Sequence, residues 1–356
     1  MILESDASAH MVEGVPMSME SSGKGSQEAR TLFEVTRPKV SRFLKLFGPE
    51  DNVLVLISPD PDSMASALAV KRLLRKRVAK TTIGYIGEVK RLENKAMMEL
   101  LGIAMVSVDR LGSEAFSSRV LVDSQPSHSE ILEGFAYDAI IDHHPRVKRW
   151  KTRYEDIRPD YGANSTILTE YIRAAGIKPS KKLATGLLYG IKTDTGNLEQ
   201  GGGEADVSQF RYLLQYANMN LLRKIEKSEL RLRDLDYFKT AIEKRVVTKK
   251  GLYTHLGEVP SADICVQIAD FFMGVYGMGW SFVSGVYKGK LIIILRNDGY
   301  RKDAGKLAER AFGTFGSAGG RRRAARAEIA LDSLTEAGVE ARDTGLKNFV
   351  RSHLNI

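Results

Sequence analysis

What constrains this chain most is a rhythm between residues 52 and 196, where short apolar runs alternate with helical stretches and the runs end in Asp or His. Residues 53–57, 82–86, 104–108, 120–122 and 137–141 have strand length, and apolar β-formers dominate the first, fourth and fifth. Met64, Ala67, Leu68 and Leu74 follow the first run at helical spacing, and 94–101 and 165–175 read as further helices. A strand that hands over to a helix before the next strand is joined to it by a crossover, and crossovers make neighbours parallel. The pattern therefore predicts an α/β domain with a doubly wound, mostly parallel sheet over residues 37–205.

Beyond it the character of the chain changes. Residues 206–245 are charged, rich in Leu and Ile and free of Pro and Gly, which predicts a helical linker. Residues 245–259, broken at Lys249-Lys250-Gly251, and 280–296, broken at Lys288-Gly289-Lys290, read as hairpins, with helices over 261–275 and 303–311 to cover them. A smaller, mixed α/β domain over 246–356 follows, with a glycine-rich loop at 313–320. Residues 1–36 are rich in Ser, Gly, Met and Glu and read as a disordered tail, with no basic-then-apolar leader. The longest apolar runs, 53–57 and 291–295, fall far short of the ~20 residues that span a bilayer, so a cytoplasmic protein without membrane contact is expected. Cys265, the single cysteine, lies in an apolar stretch and reads as a buried, inert thiol. The formal net charge of +9 favours anionic partners. Cations crowd at Lys71, Arg72, Arg75, Lys76, Arg77 and Lys80, either a solvated helix face or a nucleic-acid contact, and again at Arg321, Arg322, Arg323 and Arg326 after the glycines.

The candidate chemistry lies where the strands end. Asp60 and Asp62 follow the first strand, Asp123 the fourth, and Asp142-His143-His144 closes the fifth. In a parallel sheet all these carboxyl ends open on one edge, where open α/β folds bind ligands. Asp194, in Thr193-Asp194-Thr195-Gly196, follows a helix, and its place at that edge is an inference. Any one of these aspartates could simply be a turn or helix-cap residue, and His128 in its Ser-containing loop reads as a surface histidine. Gathered together, four carboxylates would repel one another unless cations balanced them. Two divalent ions match the charge of Asp60, Asp62, Asp123 and Asp194, and His143 adds a nitrogen ligand suited to Mn²⁺. A metal pair about 3.5–4 Å apart clamps phosphoryl oxygens, which predicts phosphate-ester hydrolysis.

Four segments, Ser58-Pro59-Asp60-Pro61-Asp62, Val120-Leu121-Val122-Asp123, Ile141-Asp142-His143-His144-Pro145 and Gly190-Ile191-Lys192-Thr193-Asp194-Thr195-Gly196, resemble the motifs of the DHH phosphoesterases, in order. The second domain is similar to the DHH-associated substrate-binding domain, its glycine-rich loop matched by Gly316, Gly319, Gly320 and Arg321. The resemblance implies two metal ions, Mn²⁺ with Mg²⁺ or Co²⁺ as alternatives: Asp60 and Asp123 on one, and Asp62, Asp123, His143 and Asp194 on the other. It places His144 against the substrate phosphate, Asp142 behind a histidine, and Arg296, Gly319, Gly320 and Arg321 over the substrate. The family includes RecJ-type single-strand exonucleases, nanoRNases that also cleave phosphoadenosine phosphate, and cyclic-dinucleotide phosphodiesterases. A metal-dependent phosphoesterase acting on short single-stranded oligonucleotides or small nucleotides is expected, its oligomeric state open, a homodimer included. The alternatives are a degenerate member that binds a nucleotide as a sensor and an inorganic pyrophosphatase, which shares the metal motifs but lacks this loop. Two departures stand out: Leu56 where many members have a histidine, and Arg321 in place of a histidine at the end of the loop. Arginine can hold phosphate through two hydrogen bonds but cannot give up a proton at ordinary pH.

Overall fold

Asn52–Ile57 is a run of Val, Leu and Ile buried on both faces, a burden only a central strand of a covered sheet can satisfy, and it forms β1. The computed structural model describes residues 34–111, 116–199, 202–228, 230–249, 251–300 and 302–356, in two units that meet at the 229/230 boundary. Helix α1 (34–44) leads into β1, and the expected tail of 1–36 otherwise lies outside the described residues. Then come α2 (Pro61–Leu74), β2 (Lys80–Tyr85), α3 (Leu92–Leu101), β3 (Val106–Ser107), β4 (Ser118–Val122), α4 (Glu130–Glu133), β5 (Ala139–Asp142), β6 (Tyr154–Ile157), α5 (Asn164–Ala174), α6 (Lys181–Asp194), α7 (Glu204–Leu214) and α8 (Met219–Glu226).

The sheet order is β3-β2-β1-β4-β5-β6, and every pair is parallel. Chain direction across the sheet reverses between β1 and β4, which opens a crevice at their carboxyl ends. On one face Val53, Val55 and Ile57 pack with Met64 of α2, Ile167 of α5 and Leu187 of α6; on the other, Leu54 and Leu56 pack with Leu121 and Ile140. The run at 104–108 contributes only two residues of strand before a 3₁₀ turn. The acidic β6 has no apolar run to betray it; Glu155 and Asp156 sit in its middle.

The stretch 206–245 is divided between the units instead of standing as a separate linker. Leu213 of α7 and Leu222 and Ile225 of α8 join the core of the first unit. Buried Asp206 accepts hydrogen bonds from Gly162 N (2.9 Å), Gly203 N (2.8 Å) and Thr166 Oγ1 (2.5 Å), which fastens α7 to the start of α5.

The second unit contains α9 (Leu235–Glu243), β7 (Val246–Val247), β8 (Leu252–Glu258), α10 (Ala262–Met273), β9 (Trp280–Tyr287), β10 (Lys290–Asn297), α11 (Ala304–Phe312), β11 (Ser317–Gly320), β12 (Ala324–Ala330), α12 (Leu331–Glu336) and α13 (Asp343–Leu354). Its sheet runs β11-β12-β10-β9-β8-β7, antiparallel except for β8 beside β9. Alternation along β10 divides two cores: Ile292 and Ile294 face α9 and α10, while Leu291, Ile293 and Leu295 face α11 and α13. The glycine-rich segment expected as a loop ends in a strand, β11, paired with β12. Gly320 has φ +154°, and a Cβ there would lie 2.3 Å from the Ala324 carbonyl oxygen, so only glycine fits. Cys265 is buried, which pushes its thiol up to about 12 and keeps it inert. Among the described residues no helix is long and apolar enough to cross a membrane.

Candidate metal centre

Each acidic group reaches the crevice by a separate local device. Asp60 is the N-cap of α2: its Oδ1 accepts from Ser63 N (2.8 Å), and Ser63 Oγ accepts from Asp60 N (3.0 Å). The cap reading is therefore correct for Asp60, whose carboxyl also lies within hydrogen-bond reach of Asp123. Asp62, in the first turn of α2, is fully buried and accepts from Asn164 N (2.6 Å) and Ser165 N (2.7 Å) at the N-terminus of α5. Asp123 follows β4 with φ +57°, a left-handed backbone that aspartate tolerates better than most side chains. Its N–H donates to Ile141 O (2.9 Å), so β5 holds the strained turn in place. Asp194 is the last residue of α6 and stands exposed at the rim.

His143, just past β5, completes the group. Its Nδ1 lies 3.1 Å from Tyr161 O, and a carbonyl can only accept, so the proton is assigned to Nδ1 and the neutral ring keeps a lone pair on Nε2. That Nε2 lies 3.3 Å from Asp123 Oδ1 and 3.5 Å from Asp194 Oδ2. Ligand atoms of Asp62, Asp123, His143 and Asp194 all fall within 4.8 Å of one another. Asp123 Oδ1 and His143 Nε2 are buried without a hydrogen-bond partner among the described residues. Two buried, unpartnered ligand atoms 3.3 Å apart, one of them an imidazole nitrogen with a free lone pair, fit a divalent cation.

The charges agree. Burial first, and then Asp194, push the Asp62 carboxyl up to about 7. Burial and the neighbouring Asp62 raise Asp123 far above the usual carboxylate range, and burial with Asp194 raises Asp60 less. Burial by itself would lower His143, but Asp123 and Asp194 outweigh it and push the ring up to about 12. Without a metal, protons have to supply the positive charge that the carboxylates demand.

Beside the cluster, Asp142 is fully buried, and its Oδ1 accepts from His144 Nδ1 (2.8 Å). Burial favours a neutral Asp142, yet the hydrogen bonds from His144 and Gln125 outweigh it and hold the carboxyl below its ordinary value. His144 is half-exposed, its ring 4.5 Å from that of His143 and 5.2 Å from that of His128. Leu56 is packed in the apolar cluster of the opposite sheet face.

The second unit holds the other expected residues. Arg296 Nε donates to Asp270 Oδ1 (2.6 Å), so part of this guanidinium is already engaged. Gly319 faces open space, and exposed Arg321 begins the turn between β11 and β12, its N–H donating to Ala324 O (2.8 Å).

Several supporting groups escaped the sequence. Buried Gln125 donates to Asp142 Oδ2 (2.9 Å) and to the carbonyls of His144 (3.3 Å) and Pro145 (3.1 Å), and accepts from Val147 N (3.2 Å). It clamps the segment that carries both histidines; its only sequence signal was a polar residue two places after Asp123. Tyr161 acts through its backbone carbonyl, which leaves no residue signature. Gly190 lets α6 approach: a Cβ there would lie 2.4 Å from Ser165 Oγ and 2.9 Å from Asp62 Oδ1.

Residues 52–191 match the family described as DHH family, N-terminal domain. An uncharacterised protein of Methanocaldococcus jannaschii is 33% identical over 280 residues, 78% of this chain and 58% of that protein. A probable manganese-dependent inorganic pyrophosphatase of Clostridium acetobutylicum is 30% identical over 142 residues, 39% of this chain and 45% of that protein. The chain thus spans about half the length of these curated relatives. Among solved structures, an exopolyphosphatase-related protein from Bacteroides fragilis superposes with a TM-score of 0.57 at 14% identity, covering 95% of this chain and 99% of that one, a likeness of fold.

Proposed function

Starting from a chain that carries a DHH family N-terminal domain at residues 52–191, we propose that it is a metal-dependent phosphoesterase acting on short single-stranded oligonucleotides or small nucleotides. The observation that carries this reading is the pair of buried, unpartnered ligand atoms, Asp123 Oδ1 and His143 Nε2, 3.3 Å apart inside a group of three aspartates and one histidine. Asp62, Asp123, His143 and Asp194 would hold one ion, with Asp60 and Asp123 on a second. Mn²⁺ suits this mixed oxygen and nitrogen set, with Mg²⁺ or Co²⁺ as substitutes. When bound, such ions withdraw charge from phosphoryl oxygens and make water a nucleophile at neutral pH.

The chain's own groups do the rest. His144, fixed through Nδ1 by Asp142, has Nε2 without a protein partner among the described residues, so once the ring has taken a second proton from solvent that atom can donate to a substrate phosphate or pass the proton to the leaving oxygen. The hydrogen bond from His144, and then that from Gln125, keeps Asp142 ionised, and Gln125 holds it in place. In the second unit the exposed guanidinium of Arg321 offers planar, charge-assisted hydrogen bonds to a substrate phosphate, beside the open backbone of Gly319 and Gly320.

The test is a panel of a 5′-phosphorylated dinucleotide, a cyclic dinucleotide, phosphoadenosine phosphate and pyrophosphate, each incubated with Mn²⁺-loaded protein and separated chromatographically. Cleavage of a nucleotide member, lost in Asp194→Asn, is the expected result. Cleavage of pyrophosphate alone would replace this reading with a pyrophosphatase, the activity named for the Clostridium relative. Mn²⁺-dependent nucleotide binding without turnover of any member would make the protein a sensor.

A further inference from the structure

At the end of the first unit opposite the metal centre lies a cavity of about 460 Å³. Six cationic residues line it, Lys71, Arg72, Arg75, Lys76, Lys80 and Lys182, and among the described residues no carboxylate does. Lys71 and Arg72 sit in the last turn of α2, where a helix dipole alone would favour them. That explanation does not extend to Lys182, in the first turn of α6, where the dipole disfavours a cation. Lys71, Arg72, Arg75, Lys76 and Lys182 enter no ion pair among the described residues. Two segments distant in sequence, the end of α2 and the start of α6, thus bring to one concavity cations that form no ion pair among the described residues. Its floor is apolar, formed by Leu68, Leu101 and Leu183. A solvated helix face would need neither the concavity nor that floor.

We propose that this cavity is a second ligand site, separate from the metal centre, that binds a nucleotide-sized anion. Its phosphates lie among Arg72, Arg75 and Lys182, close to the positive N-terminal end of α6, and its flat base covers the leucines. A cavity of this volume suits a small ligand. Helices α2 and α6 are each 14 residues, about 20 Å long, and each has one end at the metal cluster and the other at this cavity. The two sites are therefore a full helix length apart and can be tested independently.

The probe is ADP, titrated by calorimetry into protein held metal-free with EDTA, where the catalytic carboxylates repel anions. Saturable 1:1 binding is expected, weakened about tenfold or more by Arg75→Glu combined with Lys182→Glu. Both side chains are exposed, and an unchanged unfolding transition shows that the variant folds. Arg211→Glu with Lys224→Glu, the same charge change on exposed positions elsewhere, should leave the affinity as it was. So should Asp194→Asn, which separates this proposal from the fate of the catalytic reading. No ADP binding, equal affinity in the Arg75/Lys182 variant, or inorganic pyrophosphate binding as tightly as ADP would overturn it. A ten-residue oligothymidylate that binds where ADP does not would also overturn it and make the surface a nucleic-acid track.

Discussion

Asp123 combines two costs that its chemistry has to offset. A non-glycine residue in the left-handed region is strained by about 1–2 kcal/mol, and its carboxylate is buried beside Asp62. Asparagine tolerates the same backbone but carries no charge, so Asp123→Asn separates the two. It is expected to lose Mn²⁺-dependent turnover, measured on the cleaved substrate, while metal-free protein unfolds at the same temperature or higher because a repulsion has gone. Undiminished turnover would remove Asp123 from the ligand set. Arg321 is the other informative position, since here the residue departs from the family pattern. Arg321→Ala should weaken substrate binding by about 1.5–3 kcal/mol, the range for hydrogen bonds to charged groups, with bound metal unchanged. Equal Michaelis constants for the two proteins would remove Arg321 from the proposed substrate contacts. At this scale the sequence showed where Asp60, Asp62 and Asp123 lie, because a strand end is a local feature, whereas Asp194, at the end of a helix, was placed by inference. It hid what supports them: Gln125, the Tyr161 carbonyl and the left-handed turn follow from tertiary neighbours.

Among the elements, α6 matters most to the centre, and Gly190 sets how near it comes. Gly190→Ala would drive a methyl group against Ser165 Oγ and the Asp62 carboxylate, an overpacking cost of about 1–3 kcal/mol. Lower thermal stability together with weaker Mn²⁺ binding by calorimetry is expected; a stability loss with unchanged metal affinity would show that Asp62 can shift without consequence. A second tie joins α1, β6 and α5, where Asp156 accepts from Lys39 Nζ (2.7 Å), Arg158 Nη2 (2.7 Å) and Tyr171 Oη (2.7 Å), and Arg158 Nη1 reaches Glu170 (2.6 Å). Burial alone would raise Asp156, but Arg158 and then Lys39 and Tyr171 outweigh it and depress the carboxyl. A depressed folded-state value means that its stabilisation is complete above the unfolded value near 3.9 and is lost as pH falls through the lower, folded one. Asp156→Asn should cost about 3 kcal/mol or more near neutrality and flatten the loss of stability below about pH 4, followed by urea unfolding across pH. An acid limb as steep as in the wild type would assign that loss to other carboxylates. The alternation of strand and helix made most of the first sheet legible. Strands β6, β11 and β12 were not, because one is acidic and the others are Gly- and Ala-rich, with partners instead of propensity holding them extended.

Across the whole molecule, the two units were legible as two changes of pattern, but the assignment of 206–245 was not. Whether a charged helix belongs to one core or the next depends on a few buried residues, here Leu213, Leu222 and Ile225 on one side and Ala241 on the other. The residues proposed to hold an ion come from distant points of one unit, and Asp62 and Asp194 are 132 positions apart. An ion shared between them is a removable cross-link that closes a long loop of chain, as a disulfide would between two cysteines. At a hundredfold excess over its dissociation constant, one such ion adds about 2.7 kcal/mol to the folded state. Contacts so far apart in sequence form late in folding, so their strength is felt chiefly in the rate of unfolding. Stopped-flow measurements should therefore show EDTA accelerating unfolding in urea and leaving refolding nearly unchanged, whereas equal effects on both limbs would mean that the ion joins before the chain has closed. The lifetime of the folded protein, and not only its turnover, would then follow the supply of metal around it.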